Sequence, residues 1–369
     1  MASYGTLRAW TRALACAAAG AVLAVLLGAS HANALTQQEI ANYKGPDRQK
    51  MLEEGARKEG KVTIYSGMIV DQALRPMTEA FMKKYPFIKA EYWRGASPQI
   101  VQKALAEARA GRMQADVLES TSLAPPLMRG GLVQPFHSPE SDIYPKHLVA
   151  QDGMWASTRV SYFGAAINTN LVKKDEAPKT WDDLLDPKWK GKMAWRVGGG
   201  DSGAELFVTN MRLVLGDAKA EDYIKKLAKQ DVVGYTSSAR QLVNQVMAGE
   251  YAIALNIFLH HPLISAEKGA PVAPNPMEPI PSLNGTVLLA KNAPNPHAAM
   301  LLIDFMLSKD GQNTFLAGDY FPANPAIEPS PDLAGVVPSK IGMKEQFITP
   351  DEVNDMNKKS AEWIKTYFR

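Results

Sequence analysis

The sequence has almost no cysteine, no excess of charge of either sign and no long apolar run beyond its beginning. Its single cysteine among 369 residues is Cys16, which lies within an apolar stretch near the N-terminus. The rest of the chain can form no disulfide and must be stable through its core alone. Basic and acidic residues nearly balance, 41 against 38, and two of the basic ones, Arg8 and Arg12, precede that apolar stretch. Such a balance gives no electrostatic basis for binding nucleic acid or an anionic membrane. After residue 28 no apolar run approaches the roughly 20 residues of a membrane-spanning helix. Internal repeats and low-complexity linkers are also missing.

What the N-terminus does have is an export pattern. Arg8 and Arg12 form a basic start, Ala13 to Gly28 an apolar core, and Ser30-His31-Ala32-Asn33-Ala34 places Ala32 and Ala34 at the small-residue positions of a signal-peptidase site. Residues 1–34 therefore read as a signal peptide that is removed. Cys16 sits inside the apolar core rather than after it, which argues against lipid anchoring. A soluble periplasmic protein is expected, and its length suits two domains.

Three strand–helix units follow. Lys61 to Ser66 is a β-rich run, and Leu74, Met77, Phe81 and Tyr85 repeat behind it at helical spacing until Pro86. A second strand over Ile88 to Trp93 leads to Gly95-Ala96-Ser97, with Ser97 as the expected N-cap and Pro98 as the first helical residue. A third strand, Ala115 to Leu118, leads to Ser120-Thr121-Ser122. Alternating strands and helices predict an α/β fold with a parallel sheet, whose ligands bind at the carboxyl ends of the strands. Those ends carry Ser66-Gly67, Gly95-Ala96-Ser97 and Ser120-Thr121-Ser122, so a polar ligand is expected there. Further on, Thr180 is the expected cap of a helix with Asp183 in its first turn. Met193 to Val197 and Tyr251 to Asn256 read as strands, Ala204 to Leu215 as a helix ended by Gly216, and Pro271 to Pro281 as an extended surface segment.

Several stretches occur in the order of one family. They include Tyr65-Ser66-Gly67, Lys84-Tyr85-Pro86, Arg94-Gly95 and Gly130-Gly131-Leu132-Val133. The longest runs from Thr180-Trp181-Asp182-Asp183 through Asp186-Pro187-Lys188-Trp189 to Lys192, and Ala248-Gly249-Glu250-Tyr251, Lys268-Gly269-Ala270-Pro271-Val272 and Ser308-Lys309-Asp310-Gly311-Gln312 follow. From about Lys61 to about Pro325 the chain resembles the extracellular solute-binding proteins of ABC importers, in the subgroup that includes ferric-ion-binding proteins. The resemblance implies a two-lobed periplasmic binding protein of type II, each lobe a mainly parallel sheet flanked by helices. Residues 35–160 and 286–338 would form one lobe, and residues 161–285 and 339–369 the other. The chain would cross between them near Ser161–Ile167 and Gly285–Leu289, and the helix around Asp351 to Tyr367 would return to the second lobe. Such a protein closes on a small molecule and delivers it to an ABC permease. It performs no chemistry, needs no cofactor and is expected to be a monomer that binds no nucleic acid.

At one place the sequence departs from the ferric members, which put a tyrosine pair after the equivalent of Leu255-Asn256. Here Ile257-Phe258-Leu259 stands instead, and Met68-Ile69 follows Gly67 where a histidine is missing. Both phenolates are lost, so no metal is expected. A ferric carrier using a synergistic anion is the alternative. His260-His261, followed by Pro262 at a strand end or turn, makes a poor chelate because neighbours on a strand diverge; one of the two could line the cleft.

Gly200-Asp201-Ser202-Gly203 matches the tetrapeptide around the nucleophile of trypsin-like proteases. That pattern continues with Gly-Pro, whereas here Ala204-Glu205 follows. A serine hydrolase at Ser202 would also need a histidine and an acid brought to it. The other reading is a helix N-terminus capped by Asp201 or Ser202, with backbone N–H groups that suit an anion. The family resemblance places a ligand loop of the second lobe here. The expected ligand set is Ser66, Gly67, Arg94, Ser97, Ser120 and Thr121 from one side and Asp201, Ser202, Gly203, Asn256 and Phe258 from the other. Arg94, Arg159, Arg196 and Arg240 are the cationic candidates, and Tyr235 a candidate wall. Guanidinium groups suit a phosphorylated or carboxylate solute. Asp201 would repel a purely anionic one, which leaves a zwitterion such as an amino-phosphonate open.

Overall fold

The computed structural model describes residues 35–198 and 202–368. The segment read as a signal peptide and Asp201 lie outside the described residues. Gln37 to Arg369 form a single unit.

The first three β-rich runs are strands β1 (Lys61–Ser66), β2 (Lys89–Arg94) and β3 (Val117–Thr121). β1 lies parallel to both, with Ser66 opposite Arg94 on one side and Glu119 on the other. Helices connect them as the apolar spacing predicts. Arg75–Lys84 buries Met77 and Phe81, and Ser97–Arg109 buries Ile100 and Ala104. Because the three strands run the same way, their carboxyl ends share one edge.

The remaining strands are β4 (Val133–Gln134), β5 (Ala156–Asn168), β6 (Met193–Arg196), β7 (Val233–Tyr235), β8 (Ile253–Phe258), β9 (Val272–Asn275), β10 (Ile280–Ala290), β11 (Phe321–Pro322) and β12 (Glu345–Phe347). Hydrogen bonding runs without a break in the order β2-β1-β3-β10-β5-β8-β6-β7. β6 is parallel to β7 and β8, forming a second parallel group. Between the groups, β10 is antiparallel to β3 and β5, and β5 is antiparallel to β8. β5 belongs to both halves: Ala156 to Tyr162 pair with β10, and Phe163 to Ile167 pair with β8.

Two local expectations differ from the structure. Val272–Asn275, within the proline-rich stretch, is extended as expected but pairs as a strand along β5 with Val272 buried rather than lying on the surface. Thr180 and Asp183 do bond reciprocally, yet the helix they open, Asp182–Leu185, is a single 3-10 turn. Pro187 follows two residues after Leu185 and disfavours its continuation.

The largest apolar cluster surrounds helix Pro296–Leu307, whose residues from Ala298 to Leu307 are all buried. A helix apolar on every side belongs in a core. A second cluster joins Trp195, Phe207 and Trp363. It includes helix Ala204–Leu215, against which the C-terminal helix Pro350–Tyr367 packs.

Candidate functional site

The carboxyl ends of both parallel groups face one cavity of about 320 Å³, in the size range of small-molecule sites. Gly67, Arg94, Ser97, Ser120 and Thr121 line it from the β1–β3 edge, and Arg159 and Ser161 from β5. Arg196, Gly198, Ser202, Ser238, Arg240, Phe258, His260 and His261 line it from the β6–β8 half, and Tyr320 from the segment before β11.

Seven of the expected ligand residues thus meet at one cavity: Gly67, Arg94, Ser97, Ser120, Thr121, Ser202 and Phe258. Three others lie behind it. The Ser66 hydroxyl is fully buried and donates to Glu119 Oε2 at 2.6 Å. Asn256 is also fully buried, and its Nδ2 donates to the Gly203 carbonyl at 2.9 Å while the Gly203 N–H donates to the Asn256 carbonyl at 3.1 Å. That clasp ties the end of β8 to the start of helix Ala204–Leu215. Tyr235 sits on β7, away from the cavity, with its hydroxyl donating to the side-chain carbonyl of Gln245 at 3.2 Å.

Both expected helix caps are different. Ala96, not Ser97, precedes helix Ser97–Arg109. The Ser97 hydroxyl instead donates to the Thr121 carbonyl at 2.7 Å and lies 3.0 Å from Ser120 Oγ. It links two strand ends rather than ending a helix. Neither Asp201 nor Ser202 is the residue before helix Ala204–Leu215: Gly203 is, at φ 75° and ψ −144°, with no side-chain cap. This backbone region is essentially reserved for glycine. A Cβ at Gly203 would also overlap the Arg196 carbonyl oxygen.

Ser202 is 2% exposed and accepts a hydrogen bond from Arg196 Nη1 at 2.7 Å. Arg196 Nε donates to the Ser237 carbonyl at 3.1 Å. A guanidinium cannot take a proton from a hydroxyl, so this pairing does not activate Ser202 as a nucleophile. Arg240 Nη1 donates to the His261 carbonyl at 2.8 Å. Arg159 is buried and paired with Glu119. Arg94 is exposed at the end of β2.

His260 and His261 begin a helix, His260–Glu267, rather than ending a strand, and both line the cavity. Burial pushes the His261 imidazole down to about 3, helped by the charge of Arg240. His260 is pushed well below its ordinary value by burial and then by His261, Arg159 and Arg240. Both rings are neutral at physiological pH. Among the described residues no group of three His, Cys, Asp or Glu side chains could hold a metal ion. The described lining residues therefore offer four guanidinium groups, two neutral imidazoles and six hydroxyls of serine and threonine, and no carboxylate.

Sequence reasoning missed Ser161, Ser238 and Tyr320. Ser238 had a readable signal: it caps helix Ala239–Met247 through a box with Gln241, a Ser-x-x-Gln pattern visible in the sequence. Ser161 and Tyr320 reach the cavity only through the pairing of β5 and β11 and carry no local signal.

A model of bacterial extracellular solute-binding proteins matches residues 113–339. The chain belongs to that family. This solute-binding protein is 28% identical over 271 residues to an uncharacterized protein of Haemophilus influenzae, covering 70% of this chain and 75% of that one. It is 27% identical over 252 residues to iron uptake protein A1 of Synechocystis, covering 62% and 66%. Among solved structures it is similar to the periplasmic binding protein AfuA of Actinobacillus pleuropneumoniae with exogenous fructose 6-phosphate bound, at a TM-score of 0.69 and 25% identity over 84% of this chain and 99% of AfuA. The two-lobed type II fold and the role of solute-binding component of an ABC transporter follow. Proteins of this family bind small molecules and deliver them to ABC permeases.

Proposed function

We propose that this solute-binding protein is periplasmic and monomeric and captures a phosphorylated organic anion, without carrying out chemistry on it. The observation that carries this reading is the convergence of Arg94, Arg159, Arg196 and Arg240 on one cavity with no carboxylate among its described lining residues. Guanidinium groups donate in a fork that matches phosphate oxygens. The hydroxyls of Ser97, Ser120, Thr121, Ser202 and Ser238 surround the same space, and Phe258 and Tyr320 supply apolar walls for an organic body. AfuA, which holds a sugar phosphate in its structure, supports a phosphate ester over a carboxylate. We place the lobe boundaries as the sequence predicts them, with β5 and β10 as the crossing strands. Closure of the lobes would bring the arginines of the two halves around one anion. Asp201, beside Ser202 in the chain, leaves room for an amine on the ligand.

The iron reading draws on the likeness to iron uptake protein A1. Phe258 stands where ferric carriers place phenolates, and the cavity's histidines are neutral neighbours in one helical turn, so anion binding is favoured. A thermal-shift screen with fructose 6-phosphate, glycerol 3-phosphate, an amino-phosphonate, citrate and ferric citrate tests the reading. A ligand at about a hundred times its dissociation constant adds roughly 2.7 kcal/mol. Phosphate esters are expected to raise the melting temperature. A shift with ferric citrate alone, accompanied by a visible charge-transfer band, would reverse the reading.

A further inference from the structure

The ladder between β5 and β10 is irregular at the cavity. Gly285 pairs with Arg159, but Thr286 pairs with Ser157, so Thr158 is an extra residue on β5. A bulge of this kind bends a strand and re-aims its side chains, often beside a binding site. Its effect is visible at Glu119. Neighbouring residues of a regular strand point to opposite faces, yet Thr158 and Arg159 both reach the same carboxylate oxygen. Thr158 Oγ1 lies 3.2 Å from Glu119 Oε1, and Arg159 Nη1 forms an ion pair with it. The other oxygen of Glu119 accepts from Ser66 at 2.6 Å, and Glu119 is fully buried. The Arg159 guanidinium also lies over the Tyr320 ring, 5.4 Å from its centroid.

Gly285 supplies the space. A Cβ there would stand 2.5 Å from Arg159 Nη1 and 2.7 Å from its Cζ. Its backbone is not in the left-handed region, so room for the guanidinium, not conformational freedom, is the reason a glycine is needed. Arg159 lines the cavity, whereas Glu119 and Gly285 stand behind it.

We propose that Glu119, Gly285 and the bulge at Thr158 form a positioning device that holds Arg159 ready in the cleft, which makes Glu119 and Gly285 specificity-determining positioning residues for anion capture. The inference rests on the phosphate reading above. A guanidinium fixed before the ligand arrives loses less freedom on binding.

Calorimetric titration with fructose 6-phosphate, glycerol 3-phosphate and inorganic phosphate tests it. Arg159→Ala should weaken the tightest of the three roughly tenfold to a hundredfold, as for loss of a charge-assisted hydrogen bond. Gly285→Ala changes no charge and touches no ligand, yet should cause a comparable loss while still melting cooperatively. The double variant should bind no more weakly than Arg159→Ala, since both changes remove one interaction. Should Gly285→Ala fail to fold, Glu119→Gln, which keeps the shape of the side chain, takes its place in the same cycle. Wild-type affinity in Gly285→Ala, or losses that add in the double variant, would overturn the positioning role. Arg94→Ala separates the two levels. If it weakens binding while Arg159→Ala does not, the device is wrong and the phosphate reading stands. If wild-type protein binds none of the three probes, both fall.

Discussion

Arg196 and Arg240 have the most specific roles among the cavity's side chains. Each is anchored to a backbone carbonyl, Arg196 to Ser237 and Arg240 to His261, which leaves other guanidinium N–H groups for a ligand. Arg196→Ala and Arg240→Ala should each weaken a phosphate ester roughly tenfold to a hundredfold in calorimetry. Arg196→Lys should not restore affinity, because a single ammonium cannot hold Ser202, Ser237 and an anion in the same planar fork. Affinity retained by the lysine variant would show that charge alone suffices. The histidines predict a pH dependence of stability. Their values are lower in the folded chain than in the unfolded one, so the unfolded chain takes up protons first. Their contribution is complete above about pH 6.5 and is lost as pH falls from there towards the folded values. Asp116 opposes them: burial raises its carboxyl to about 6, so its protonation favours the folded state as pH falls through that value. With two histidines against one aspartate, the melting temperature should drop between pH 7 and pH 5, and less in the His260→Gln/His261→Gln double variant. An unchanged slope in that variant would remove the histidines from the explanation. All four cavity arginines were legible as cationic candidates from the chemistry of the guanidinium group, although only Arg94 was expected at a strand end, and Arg159 lies within β5 and Arg240 within helix Ala239–Met247. The hydroxyl of Ser97 was not, because its choice between capping and cross-linking depends on Thr121, 24 residues away.

Elements were read well where the apolar period was clean. Lys61–Ser66 and Ala204–Leu215 have the ends that the sequence predicts. The junctions were harder. His260-His261 follows a strand and precedes a proline, and only the packing of that segment decides that a helix begins there, with Pro262 tolerated in its first turn. Of the Gly200-Asp201-Ser202-Gly203 tetrapeptide, the place of Ser202-Gly203 before a helix was legible, but which residue leads into the helix was not. Gly203 does so with a backbone that other residues resist, held by Asn256 from the neighbouring strand. Gly203→Ala should therefore destabilise the protein by about 1–3 kcal/mol in urea denaturation, more than an ordinary surface substitution. It should also weaken ligand binding, since Arg196 lies under the new methyl group. A neutral effect on both would contradict the role given to this turn.

For the whole molecule, the order β2-β1-β3-β10-β5-β8-β6-β7 places two parallel groups edge to edge through the long antiparallel pair β10 and β5. The sequence showed the first parallel group through its strand–helix alternation. It did not show that β5 extends over 13 residues, because a strand shared by two halves is buried along nearly its whole length, polar residues included, and has no alternating signature. The ladder through β5 and β10 is also what brings Arg159 within reach of arginines from both halves. Calorimetry of the wild-type protein tests most directly whether this cleft captures a phosphorylated anion. Fructose 6-phosphate or glycerol 3-phosphate should bind with one site per chain, and raised salt should weaken the binding as the arginines are screened. Saturable binding of ferric iron with no binding of any phosphate ester would contradict it.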